Sequence, residues 1–214
     1  SFAGGTRTLI VATAGTLSDV DFRDVAISGT AAPISGTRLG DCTGNSGITF
    51  PAPKTVYWNL AGAQSITATG WATSSGGTPA VNNFPLPQDT AVFDNTGAAG
   101  TVATALSYNF GTIDMSNRTS AMTFNIAGTP VIYGNWTNGS GTTIAASGSL
   151  NFGGSNSQTL TSASKSFLTA GLGVNKTPGA TITLADAFIT TAPIPLNTGT
   201  LNTNNQAVTS TTLS

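Results

Sequence analysis

The chain is predicted to be all-β, a β-solenoid in which short strands stack coil upon coil, and three observations predict it. From Gly111 to the end one phrase recurs: a Gly turn, a few Thr or Ser, then an aliphatic residue in a brief alternating run. Gly111-Thr112-Ile113, Gly141-Thr142-Thr143-Ile144, Gly148-Ser149-Leu150, Gly179-Ala180-Thr181-Ile182 and Gly199-Thr200-Leu201 carry it. An apolar ladder runs through Ile113, Ile132, Leu150, Phe167, Leu184 and Leu201 at a near-constant interval, a little under twenty positions per step. A regular step of that size points to a coil stacking on itself, with all six side chains inward. The composition agrees. Hydrophobic residues make up 39% and charged residues only 7%, against about a quarter charged in ordinary domains. Solubility therefore rests on Thr, Ser and Asn. Thr fits a pleated surface, and Asn and Gly accept the backbone of tight turns. No apolar stripe with helical spacing appears.

Residues 1–50 read as early solenoid coils. Leu9-Ile10-Val11 is a short apolar strand, and Asp19-Val20-Asp21-Phe22-Arg23 alternates, with Val20 and Phe22 on one face. Ile10, Ile27 and Ile48, and likewise Phe22 and Cys42, recur at a similar but less regular interval. Residues 51–95 read as a Pro- and Trp-rich excursion. Pro51, Pro53, Pro79, Pro85 and Pro87 disfavour sheet interiors, and Ser74-Ser75-Gly76-Gly77 is a turn. Trp58 and Trp71 are expected to be buried, anchoring this excursion on the rod. Residues 96–214 read as the repeat solenoid, with strands at Phe124-Asn125-Ile126, Val131-Ile132-Tyr133, Ser149-Leu150-Asn151-Phe152 and Ala180–Leu184. The rival architecture is a pair of β-sandwiches divided near the prolines. Neither end reads as a polar solenoid cap, so the chain is expected to be a segment of a longer polypeptide.

There is no His and no Glu. Ser-His-Asp and Cys-His catalysis, His-ligated zinc and every Glu acid or base are excluded. The single Cys42 excludes an internal disulfide and is expected to be a buried small hydrophobe. Net charge is −1, with the seven cations scattered singly, so no nucleic-acid footprint exists. No apolar run is long enough to span a membrane as a helix.

Two constellations remain. Asp19, Asp21 and Asp24 are the densest acidic group. They suit a calcium site, a paired-Asp glycosidase, or a solvated strand face with turns at its ends. Trp58, Trp71 and Tyr57 suit either a stacking platform for sugar rings or the apolar anchor already described. Asp41–Gly47 reads as a structural turn, and Asp89 and Asp94 as turn caps around Val92-Phe93.

Tyr57-Trp58, Trp71, Ser74-Ser75-Gly76-Gly77, Pro85, Asp89 and Val92-Phe93 form a series that resembles a segment of large structural proteins of tailed phages, marine ones especially, and of some bacterial surface proteins. Gly199–Thr209 is similar to the ending of their repeats. The resemblance covers Tyr57 to the C-terminus. It implies a virion-surface or extracellular location and supplies no catalytic motif. Phage fibres and spikes are often trimers, so other virion proteins and copies of the chain itself are expected partners, together with a host surface glycan. The reading that follows is a non-enzymatic segment of a tail fibre or spike that presents loops for host attachment. No cofactor is expected beyond calcium. Two other readings stand beside it: a β-helix polysaccharide depolymerase working through Asp residues, and a bacterial adhesin or matrix protein.

Overall fold

A computed structural model of the chain describes residues 5–97, 100–104, 107–167 and 171–214. It is a parallel β-solenoid. From Thr90 the chain visits three sheets in a fixed cycle. Thr90–Val92 lies on the first face, Thr101–Ala103 on the second and Asn109–Phe110 on the third. Thr112–Asp114 returns to the first, Met122–Ile126 to the second and Val131–Ile132 to the third. The first face grows to eight strands, the third to five and the second to four. Neighbours pair in parallel, except that Trp71–Ala72 runs antiparallel to Thr55–Trp58 at the end of the first face. Sandwiches of antiparallel hairpins are therefore not the architecture.

Alternation inside each strand explains its place. Met122–Ile126 buries Met122, Phe124 and Ile126 and turns Thr123 and Asn125 outward; Thr181–Leu184 buries Ile182 and Leu184. This is the two-residue period of a strand with one wet face. Stacking joins these residues into ladders. Val56, Ala91, Ile113, Trp136, Leu160 and Leu184 oppose one another in successive rungs and are at most 1% exposed. Corners pack as tightly as faces. A Cβ on Gly148 would lie 1.8 Å from the Gly128 carbonyl oxygen one coil below, which only glycine avoids.

Inside runs an aromatic spine. Ring centroids of Trp71 and Phe93 are 5.3 Å apart, Phe93 and Phe124 5.5 Å, Phe124 and Trp136 5.2 Å, Trp136 and Phe167 6.1 Å, and Phe167 and Phe188 5.0 Å. Most of these contacts are edge-to-face or tilted, as ring quadrupoles prefer.

The ladder expected from sequence is corrected in its register. Ile113, Ile132, Leu150, Phe167 and Leu184 are all buried, and Leu201 packs half-buried against the same core. They do not form one stack, because Ile132 and Leu150 lie on the third face while Ile113, Leu184 and Leu201 lie on the first. The coil step along the first face is longer. Its rungs pass from Ala91 to Ile113, Trp136, Leu160 and Leu184, each more than twenty positions beyond the last.

Among the described residues, the strands of 5–50 pair only with one another. Arg7–Ile10 lies parallel to Val25–Ser28, and Asp21–Phe22 to Gly40–Asp41. Ile10 is 79% exposed, and Leu9 rather than Ile10 opposes Ile27. This small stack docks on the flank of the main solenoid. Between Arg38 and Thr43 its contacts move from Val81 through Gln88 to Ser155. The docked strands thus cross successive rungs instead of adding to them.

Candidate functional site

The flank joint gathers many of the chain's ionisable groups. Its closed part centres on Arg23, Asp24, Cys42, Tyr133 and Lys176. Arg23 reaches from the small stack across the joint. Its Nη2 donates to the Asn175 carbonyl at 3.2 Å, and its guanidinium carbon lies 5.9 Å from the Tyr133 ring centroid. Its Nε is 3.4 Å from the buried Asp24 carboxylate. The Cys42 thiol and the Tyr133 hydroxyl are neighbours, and burial pushes the proton affinity of both groups up. Lys176 is fully buried. Its ammonium donates to the carbonyls of Gly153 (2.8 Å) and Asn156 (2.5 Å) and to Oε1 of Gln158. Desolvation, and then the charge of Arg23, push its pKa down to about 8.

The open part is a cleft of about 240 Å³ at the edge of the same joint. The small stack contributes Asp19, Asp21 and Arg38. The main solenoid contributes Phe84, Tyr108 and Asn109 over a floor of Pro85, Leu86 and Pro87. Asp19 has a left-handed backbone, φ 56°, which places its carboxylate beside Arg38. Nε and Nη2 of Arg38 both lie 2.6 Å from Asp19 Oδ1, and Nη1 holds the Val81 carbonyl at 3.2 Å and Asn82 at 3.3 Å. The Ser18 hydroxyl, and then Arg38, hold the Asp19 carboxyl below the usual range. Asp21 is raised, because neighbouring atoms strip water from it; the Asn109 amide donating at 2.7 Å offsets part of this. The rings of Phe84 and Tyr108 are 5.6 Å apart and backed by Phe110.

The acidic trio predicted from sequence thus takes three different partners. Asp19 holds Arg38, Asp21 holds Asn109, and Asp24 sits buried beside Arg23. Among the described residues, no three His, Cys, Asp or Glu side chains are placed to hold a metal ion together. The other carboxylates act as caps. Asp41 Oδ1 accepts from Thr43 N and Asn45 Nδ2, Asp89 accepts from Lys54 N and Leu86 N, and Asp94 accepts from Thr96 N.

Trp58 and Trp71 are 2% and 1% exposed and lie at the head of the aromatic spine. Neither ring offers a face to solvent. Tyr57 is half-buried on the opposite side of its strand. The burial expected of the two tryptophans is observed.

Arg38, Phe84, Tyr108 and Asn109 carry no signal in the sequence, being far apart in the chain and belonging to no motif. Arg118 carries none either. This residue is 1% exposed and donates to the carbonyls of Asp94 (2.5 Å), Gly97 (2.9 Å), Ser120 (2.9 Å) and Ala121 (3.2 Å). Among the described residues no helix is long and apolar enough to cross a membrane. No family model matches the chain, and no curated protein or solved structure matches it.

Proposed function

We propose that this chain is a structural, non-enzymatic segment of a virion appendage, a tail fibre or spike, that carries a binding surface to the host. The observation behind this reading is the unbroken run of parallel rungs from Thr55 to Asn202 on one face, filled by the aromatic spine. Such a stack holds surface features at a spacing of ~4.8 Å per rung. Its stiffness suits a part that transmits position. The resemblance of the Tyr57–Phe93 stretch to tailed-phage structural proteins supports the virion as its place. Other virion proteins or copies of the chain would be its partners there, and a host surface glycan its target.

Carboxylate usage favours binding over hydrolysis. Asp19 is committed to Arg38, and Asp24, Asp41, Asp89 and Asp94 to ion pairs or backbone amides. The test is to band phage particles by density and search the fractions for peptides of this chain. Peptides that co-band with capsid protein are expected. Peptides confined to bacterial envelopes would replace this reading with an adhesin. Release of new reducing ends from host capsule by the purified chain would replace it with a depolymerase.

A further inference from the structure

We infer that the cleft between the small stack and the main solenoid binds one ring of a neutral saccharide. The inference deepens the attachment reading by assigning it a site and a ligand class, and it rests on that reading only for the source of the glycan.

The chemistry of the walls selects the class. Phe84 and Tyr108 are half-buried rings lining one side, held in place by Phe110 behind them. Partly exposed rings on a rigid backing suit the apolar CH face of a pyranose. Beside them stand two fixed polar pairs, Asp19 with Arg38 within the small stack and Asp21 with Asn109 across the joint. Each pair couples an acceptor with spare lone pairs to a donor with spare N–H groups. A sugar hydroxyl both donates and accepts, so neighbouring hydroxyls match such pairs.

Charge removes the alternatives. The carboxylates of Asp19 and Asp21 repel an anionic sugar or a phosphate. Arg38, paired with Asp19, cancels one of the two carboxylates, so an ammonium group meets a single opposite charge. A neutral polyhydroxyl ligand satisfies both constraints. Size agrees: about 240 Å³ is below the range of pockets for drug-sized ligands, and it accommodates a single ring. The site exists only because residues 5–50 dock on the flank, since its lining comes from both stacks.

The experiment is an amide chemical-shift titration of the whole chain with the methyl pyranosides of glucose, galactose and mannose. Each is taken to about 50 mM, which reveals millimolar dissociation constants. The methyl glycoside of sialic acid and choline serve as the anionic and cationic probes. The expected result is a saturable shift with at least one neutral pyranoside at Asp21, Tyr108 and Asn109, and none with the charged probes. Tyr108→Leu and Asn109→Ala should each weaken it at least about tenfold, a loss of ~1.4 kcal/mol. Asn109→Ala keeps the test sound if Tyr108→Leu alters the fold. No saturable shift with any of the three pyranosides overturns the inference. So does stronger binding of the sialic acid glycoside or choline, or a shift that survives both substitutions. Failure here with co-banding intact leaves the virion reading standing and moves attachment elsewhere on the chain. Sugar binding without co-banding keeps the cleft and discards the virion.

Discussion

The indole of Trp71 meets that of Trp58 edge-on, with centroids 5.1 Å apart and planes at 70°, across the single antiparallel pair of the solenoid's described strands. The two rings differ in one respect. Trp71 Nε1 donates to the Ile66 carbonyl at 3.0 Å, whereas Trp58 Nε1 is buried without a hydrogen-bond partner among the described residues. Trp58→Phe therefore removes an unsatisfied donor and a little volume, and should cost under about 1.5 kcal/mol. Trp71→Phe leaves the Ile66 carbonyl without its indole donor and should cost more. Urea unfolding of the two variants checks the order.

Trp71→Ala empties the head of the aromatic spine. Large-to-small changes of this kind cost about 3–5 kcal/mol in well-packed cores. The loss should fall mainly on the stretch between Asn59 and Asp89, which the Trp71 indole ties down through the Ile66 carbonyl and its contacts with Trp58 and Phe93. Early cleavage between Gly70 and Pro87 in limited proteolysis is the expected outcome, with the coils after Gly111 still folded. Wild-type resistance would mean the ring does not hold this segment.

The coil step is only partly legible in the sequence, and the reason is geometric. A three-faced coil buries side chains on every face. Ile113 on the first face, Ile132 and Leu150 on the third, and Leu184 on the first all point inward. Choosing apolar residues at even spacing selects inward positions but walks from face to face. The apparent step is therefore shorter than the true one, which carries Ala91 to Ile113 and Leu160 to Leu184. The evenly spaced ladder also leaves out Trp136 and Phe152, members of the true ones. The candidate site is less legible still. Asp19 and Asp21 are visible as a cluster, but Arg38, Phe84, Tyr108 and Asn109 join them only through tertiary docking. Arg118 and Lys176 read as surface charges, because nothing local announces a side chain buried among carbonyl oxygens.

Arg118 fixes a corner of the solenoid through four carbonyls on two successive coils. Its removal leaves buried acceptors without donors, each costing about 1–3 kcal/mol. Arg118→Met keeps most of the apolar stem and isolates this effect. It should destabilise by more than about 3 kcal/mol, read from the urea midpoint. Arg118→Lys should recover only part, since three donors on one nitrogen cannot span the guanidinium's acceptors.

Lys176 and Cys42 give stability opposite dependences on pH. Folded Lys176 loses its proton near pH 8, whereas the unfolded chain keeps that proton to about 10.5. Between these values the unfolded state binds more protons, so stability rises with pH. The Cys42 thiol is raised above its ordinary 9.0, so above that pH the unfolded chain ionises first and stability falls; Tyr133 adds the same sign above 10.0. Urea midpoints of the wild type should climb from about pH 8 to 9 and level off beyond. Lys176→Met should flatten the climb, and Cys42→Ala should extend it. A flat wild-type profile would show that the Lys176 ammonium is solvated in the folded state.

Cys42 also reports on the joint. It is 1% exposed, lies beneath the contact of the small stack with Tyr133, and has a thiol whose ionisation burial opposes. A thiol reagent should reach it only when residues 5–50 lift from the flank, because the thiolate is the reactive form and the joint covers it. Tyr133→Ala deletes the ring under the Arg23 guanidinium and the hydroxyl beside the thiol. Labelling of Cys42 should then accelerate at least about tenfold, equivalent to ~1.4 kcal/mol lost from docking. The far-UV circular dichroism of the main solenoid should not change. Disulfide exchange with a small aromatic reagent at neutral pH measures the rate. Unchanged labelling in Tyr133→Ala would mean that the small stack is held by its other contacts, among them Arg23 to Asn175, Arg38 to Val81, Asp41 to Gln88, Asp21 to Asn109 and Thr43 to Ser155.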